Sequence, residues 1–312
     1  MKVKFYVCMA FVFMFALTSN AQIKRNRITY GDENADNKDT AKKYDSSNEI
    51  IYQDKLDYKF YLNTNLGYNL PLGGSSEITQ TASSFSLNSL SYGKGGDIAA
   101  GLGFYFNKYI AVEFNLGKQY GASQSFNSSD QYTDTVNGLA QQVTIRANTA
   151  YSADILKINP NIVLRYPGKF ISPYMKFGTI IGLSTRQEIQ NYDHQLYGNF
   201  IWTYKDISGS GIGLTSSIGV EKMVYQGLGF LFVEMNYVAL NQTYESGSMT
   251  SATLDGTNIL GGYSVASKEY IYVDTIDKNY TITNTNVPRQ ELKKLFNCNS
   301  IGFKFGVKFI IN

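Results

Sequence analysis

From about residue 57 to the last residue, apolar side chains recur at every second position, the period of a β-strand with two unlike faces. Eight such segments stand out. They are "YKFYLNTNLGY", "DIAAGLGFYF", "YIAVEFNLG", "DILKINPNIVLRY", "SPYMKFGTIIGL", "GIGLTSSIGVEK", "GFLFVEMNYVAL" and the terminal "NSIGFKFGVKFIIN". The connections alternate strictly between short and long. "NK", "PGKFI" and "MVYQGL" are short, while residues 69–96, 120–153, 184–210 and 241–298 are long. Such parity is the rule in outer-membrane barrels, which have short periplasmic turns and long extracellular loops. The pattern therefore predicts an all-β chain: an eight-stranded antiparallel up-and-down transmembrane β-barrel with four long extracellular loops.

The second face of each segment is small, polar or charged, as in Lys157, Asn159, Asn161 and Arg165 of the fourth. A soluble ligand-carrying barrel would line its interior mostly with apolar groups, so this polarity is inverted and puts lipid outside. An eight-stranded barrel is just wide enough for its own side chains to fill. Counting up from the short turns pairs Lys176 with Glu221 and Glu234 with Lys308, sets Glu113 within reach of Arg165, and points Lys304 inward. A ladder of ion pairs closing the lower lumen is expected from these seven residues. Pro160 falls in mid-strand and predicts a bulge or a locally broken ladder. Aromatic residues gather near strand ends, including Phe60, Phe104, Phe106, Tyr109, Tyr166, Phe230 and Phe309 at one end and Tyr68, Tyr120 and Tyr237 at the other. Those facing outward would form interfacial girdles.

Composition agrees: 17% of residues are charged, against about 25% in typical soluble domains. No segment after the leader is apolar for the roughly 18 residues a membrane-crossing helix needs. Residues 1–22 read as a secretory signal peptide, with two lysines, an apolar run from Phe5 to Leu17 and a small residue at Ala21. Residues 23–56 are polar and unperiodic, a flexible periplasmic arm, and 57–312 form the barrel domain. With the leader removed, Cys298 is the one cysteine left, so no disulfide framework is expected. A net charge of +3 without a basic aromatic platform argues against nucleic acid as a partner. The one histidine, His194, lies in the third long connection beside Asp193 with no nucleophile motif, so neither an enzyme nor a metal or other cofactor site is expected.

With "GLGFYFNKYIAVEFNLG", "ISPYMKFGTIIG", "GFLFVEMNYV" and the terminal strand in hand, the chain resembles small outer-membrane barrel proteins related to the OmpA/OmpX membrane domain, in the version common in Bacteroidota. The resemblance implies residence in the Gram-negative outer membrane, contact with its lipid, and assembly by the insertion machinery that reads the last strand. That strand ends Ile311–Asn312 with Phe309 set back, where family members often end in an aromatic residue. The resemblance also suggests O-glycosylation at the "DT" triplets of Thr40, Thr135 and Thr275. The expected role is structural, adhesive or surface-interacting, with an extracellular protein or glycan partner met through the long loops. The alternative is a small-solute or lipid-binding, narrow porin-like barrel.

Overall fold

A computed structural model describes residues 60–312 apart from 81–84, 137–138, 169, 226–228, 279 and 312. The expected leader and arm, with Thr40, and the first positions of the first segment lie outside the described residues. All eight predicted segments are strands: β1 Phe60–Pro71, β2 Gly95–Tyr105, β3 Ile110–Gly121, β4 Leu139–Arg165, β5 Ser172–His194, β6 Gly198–Tyr225, β7 Gly229–Ala239 and β8 Ser300–Ile311. Each pairs antiparallel with its neighbours in this order, and β8 pairs with β1, so the eight strands close into a ring. A closed ring leaves no edge strand within it.

The alternation divides the two faces cleanly. Phe60, Leu62, Leu66 and Tyr68 of β1 face out and are about half exposed, while Tyr61, Asn63 and Asn65 between them are buried inside. The same division holds in β3, with Val112, Phe114 and Leu116 outside and Glu113 inside, and in β5, with Met175 and Phe177 outside and Lys176 inside. The apolar face is thus the exposed one and the charged face the buried one. Phe106, Tyr109, Tyr166 and Phe309 are exposed near the short-turn end, as are Tyr68, Tyr120 and Tyr237 at the other end. Phe230 instead points inward and is buried, because it has the opposite parity to Leu231 and Val233.

Pro160 interrupts the ladder as expected. It pairs with Phe114 of β3, yet the β4–β5 pairing lapses between Ile158↔Ile181 and Asn161↔Gly178 without a change of register. A ladder with one N–H missing tolerates this lapse because β5 offers Gly178 there. A Cβ at that position would collide with the Pro160 carbonyl and the Asn161 side chain.

The long connections differ from the expected loops. Three of them continue the wall as sheet above the ring. Gln124–Val136 forms a hairpin with the upper part of β4. The upper halves of β5 and β6 stay paired up to His194↔Gly198. The outer edge of upper β6 takes Ser246–Leu254, followed by Glu269–Val273 and then Arg289–Leu292 in parallel. Among the described residues, "YSVASKEYIYVDT" and "KNYTITNTN" therefore do not pair as a hairpin continuing β7 and β8. Asn241–Gln242 pairs with Phe296–Asn297 in that place. Ser264 explains part of the difference: its side chain accepts from the Ser267 N–H and starts a helical turn, Val265–Lys268, inside "YSVAS".

One residue sets the upper half of β6. Below it the inward positions are odd, Glu221, Ser217 and Thr215; above it they are even, beginning with Asp206. The switch is a register shift, since Ser184 pairs with Gly209 but Arg186 with Asp206. The extra residue brings Ser208 into the left-handed region at φ 56, a conformation that strains any residue with a Cβ by about 1–2 kcal/mol. Ser208→Gly is accordingly expected to raise stability by up to about 1 kcal/mol, and Ser208→Val to lower it by about 1–2 kcal/mol. Urea denaturation midpoints of the two variants check this; equal midpoints would mean the bulge carries no strain.

Candidate functional site

The buried inner face assembles its charges into triads. Nearest the short turns, Glu221 is held by Arg165 and, at 2.5 Å, by Lys308. Above it Lys176 lies between Glu113 at 2.8 Å and Glu234 at 3.0 Å. Higher still, Asp97 takes Lys157 closely and Lys304 at 3.9 Å. Above the ring proper, Arg186 lies between Asp206 at 2.5 Å and Glu188. The order is cation–anion–cation, then anion–cation–anion, then the same two again. Among the described residues this column holds six cations and six anions.

Tyrosines and amides join the levels. Tyr61 donates to Glu113 and Tyr174 to Glu234, both at 2.9 Å, and the Lys308 ammonium lies over the Tyr61 ring and donates to the Tyr105 hydroxyl. Asn69 donates to Asp97 and to Gln119, Gln119 donates to the Tyr92 carbonyl, and Arg186 donates to the Tyr92 hydroxyl. The space left among Asn65, Asp97, Asn159, Lys157 and Lys304 is about 20 Å³, room for about one water. Two apolar clusters pack among the charges, Tyr61, Tyr105, Val163, Tyr174, Phe230 and Phe232 around the lower triads, and Leu90, Tyr92, Ile155, Leu240, Tyr244, Tyr272 and Phe296 towards Arg186.

All seven expected ion-pair residues face inward, and six of them are buried, Lys304 being slightly exposed. The expected partners are wrong. Lys176 is in register with Ser217 and not Glu221, Glu234 with Lys304 and not Lys308, and Glu113 with Asn161 and not Arg165. Each expectation misses by four residues. All three joined strands linked through a long connection, where the short turns do not set the register and closure demands a stagger. The actual pairs within the ring also skip a strand, as Lys176 on β5 reaches β3 and β7. Small residues open the way on some of the skipped strands. Ser217 lies across from Lys176, and Gly67 is in register with both Lys304 and Asp97. Asp97, Tyr61, Tyr174 and the Arg186 triad were missed. Continuing the alternation of β5 past Leu183 through Ser184, Arg186 and Glu188 would have found part of it.

Several groups of the upper cluster have shifted titration, Tyr92, Tyr244, Tyr270, Tyr272 and Cys298 among them. Burial pushes the Tyr92 hydroxyl well above its ordinary value, against the pull of Arg186. Burial also pushes the Cys298 thiol up to about 12. Its side chain is enclosed by this cluster and donates to the Phe296 carbonyl.

Above the Arg186 triad the inner face of the β5–β6 hairpin becomes aromatic, with Tyr192, Phe200, Trp202 and Tyr204. The Phe200 and Trp202 rings are nearly parallel, 5.5 Å apart and 16° inclined, and Tyr192 meets Trp202 edge-on. Trp202 donates to the Tyr263 hydroxyl at 2.9 Å. His194 closes the hairpin tip. Its Nδ1 accepts from the Leu196 and Tyr197 N–H groups, and its Nε2 lies 2.9 Å from the Tyr132 hydroxyl.

Two outcomes follow from this geometry. Glu221→Gln leaves Arg165 and Lys308 buried against a neutral amide and is expected to cost about 3–5 kcal/mol, whereas Lys304→Met, at the loosest contact of the column, costs less than about 1 kcal/mol. Unfolding free energies of the two variants measure this, and equal losses would refute the ranking of contacts. With its pKa at about 12, Cys298 presents about one thiolate in ten thousand at pH 8. A maleimide is expected to leave it unmodified in the folded chain and to label it in urea, by intact mass; rapid labelling of the folded chain would contradict its enclosure.

No family model and no curated protein matches the chain. Among solved structures, that of Neisserial surface protein A (NspA) is similar at a TM-score of 0.33 and 9% identity, covering 81% of this chain and 97% of that one.

Proposed function

We propose that the ring is an eight-stranded transmembrane β-barrel of the Gram-negative outer membrane, a surface protein of structural or adhesive role whose lumen is closed by ion pairs. One observation carries the reading: the exposed face of the ring is apolar and the enclosed face is charged. In water this arrangement would bury ten charges while exposing Phe114, Phe177, Leu214, Phe303 and Phe305, each about half exposed or more. In a bilayer the same surface is solvated by acyl chains, and apart from the lapse at Pro160 the strands of the closed ring pair with one another all the way round. Strands β1, β3 and β8 have 12 residues each, close to the length that crosses a bilayer at a tilt of about 45°. The exposed tyrosines and phenylalanines near both strand ends fit the interfacial girdles.

In this orientation the short turns lie in the periplasm and the upper sheet outside the cell. The signal peptide and periplasmic arm read from residues 1–56 suit export, and the OmpA/OmpX-like resemblance suits assembly by the outer-membrane insertion machinery. The reading is non-enzymatic: His194, the one histidine of the sequence, has no nucleophile motif beside it. The filled interior supports a structural role over a narrow porin.

The test is direct. The chain is expected in the outer-membrane fraction, with migration on gels that changes on heating, and without steady conductance in planar bilayers. A soluble periplasmic location would overturn the barrel, and a steady conductance would overturn the closed lumen.

A further inference from the structure

The geometry points to a binding site for a neutral oligosaccharide in the aromatic cleft at the top of the β5–β6 hairpin. This rests on the extracellular placement of the upper sheet proposed above. The cleft measures about 640 Å³, within the range of ligand sites. Its floor is the Trp202–Phe200 pair with Tyr192 and Tyr204, and its far wall is the segment around Tyr263 and Ser267 together with Thr285.

The chemistry of the lining selects the occupant. The Phe200 and Trp202 rings stack on one another on one strand face and line the cleft together with Tyr192 and Tyr204, and an aromatic lining of this kind favours a ligand with polarised C–H groups on one flat side. Around that surface stand neutral hydrogen-bonding groups, Gln190, Ser264, Ser267 and Thr285, suited to hydroxyls at a ring's edge. A pyranose has both features. A charged ligand finds no free counter-charge here. Arg289, the charged residue of the lining, is already bound to Glu291 at 2.8 Å and covers the Tyr270 ring. A peptide finds no strand edge on the floor either, because upper β6 is paired on one side with β5 and on the other with Ser246–Leu254. The bulge at Ser208 is part of the site. Without the added residue, Tyr204, Trp202 and Phe200 would turn to the outer face.

The test uses the full chain folded in detergent micelles, with heat-modifiable migration as the check on the barrel. Trp202 is the one tryptophan of the chain, so its emission reports directly on the cleft. Maltohexaose or chitohexaose at millimolar concentration is expected to give a saturable change in that emission and measurable heat by titration calorimetry. Tyr192→Ala and the milder Phe200→Leu are each expected to weaken binding about tenfold, with migration unchanged. The inference is overturned if neither neutral sugar gives a saturable response in a heat-modifiable chain, if a sulfated heparin fragment binds more tightly than both, or if both variants that keep the heat-modifiable migration bind as the parent chain does. Loss of heat-modifiable migration in the parent chain overturns the barrel reading, and this inference with it.

Discussion

Everything inside the ring depends on keeping a column of buried charges neutral as a whole. Removing a single ion from water costs several kcal/mol even after relaxation, and a pair recovers this only with good geometry and further hydrogen bonds. Here the unit is the triad, which leaves one charge over. The surplus is positive around Glu221, negative around Lys176, positive around Asp97 and negative around Arg186. Each surplus is thus answered by the level above or below. The tyrosines that link Glu113 and Glu234 to the lysine-rich levels spread the compensation over several donors. A column built in this way resists piecemeal change, because a lost charge unbalances two levels.

The same column dictates the small residues. An ion pair that skips a strand passes over the intervening one, which presents little at Gly67 and Ser172, whereas Lys308 reaches Glu221 beside the rings of Phe230 and Phe232. At Gly67 a Cβ would lie 2.7 Å from the Lys304 side chain. Ser172 not only clears the path between Arg165 and Glu221 but also accepts from the Arg165 guanidinium at 3.1 Å. Small residues at these two positions suit where the charges reach, while large neutral residues pack directly against the ions in two clusters.

This division explains how much could be read from the chain. The period of two exposes which residues face inward, so the eight strands, the inverted polarity, the break at Pro160 and all seven inward ionic residues were legible. Partnership was not. It depends on stagger between strands, a global property of closure that no single hairpin encodes, and the uniform offset of four residues is that stagger made visible. Ser208 hid a second part. A one-residue insertion inverts every later position, so Asp206 and Trp202 sit on what the lower strand marks as the outer face. A reader following the alternation of β6 upward from Glu221 loses the Arg186 triad and the aromatic floor together.

The two halves of the interior consequently do different work. The space left among Asn65, Asp97, Lys157, Lys176 and Lys304 is about 20 Å³, which suits a rigid pillar better than a passage. The fourth triad is bound both to the pillar and to the upper sheet, since Arg186 packs on Tyr92, Tyr151 and Phe296 while Asp206 accepts from Tyr270 at 2.6 Å. Upper strands that would otherwise be a marginal open sheet are tied through this node to the most constrained part of the molecule. The aromatic floor begins immediately above it, at Tyr204 and Trp202. Recognition at that floor would need no rearrangement of the ring, because its backbone is held from below by ions and from both sides by paired strands. A preorganised surface of this kind loses little entropy on binding, and that is the physical reason to look for function at the top of the wall and not along its axis.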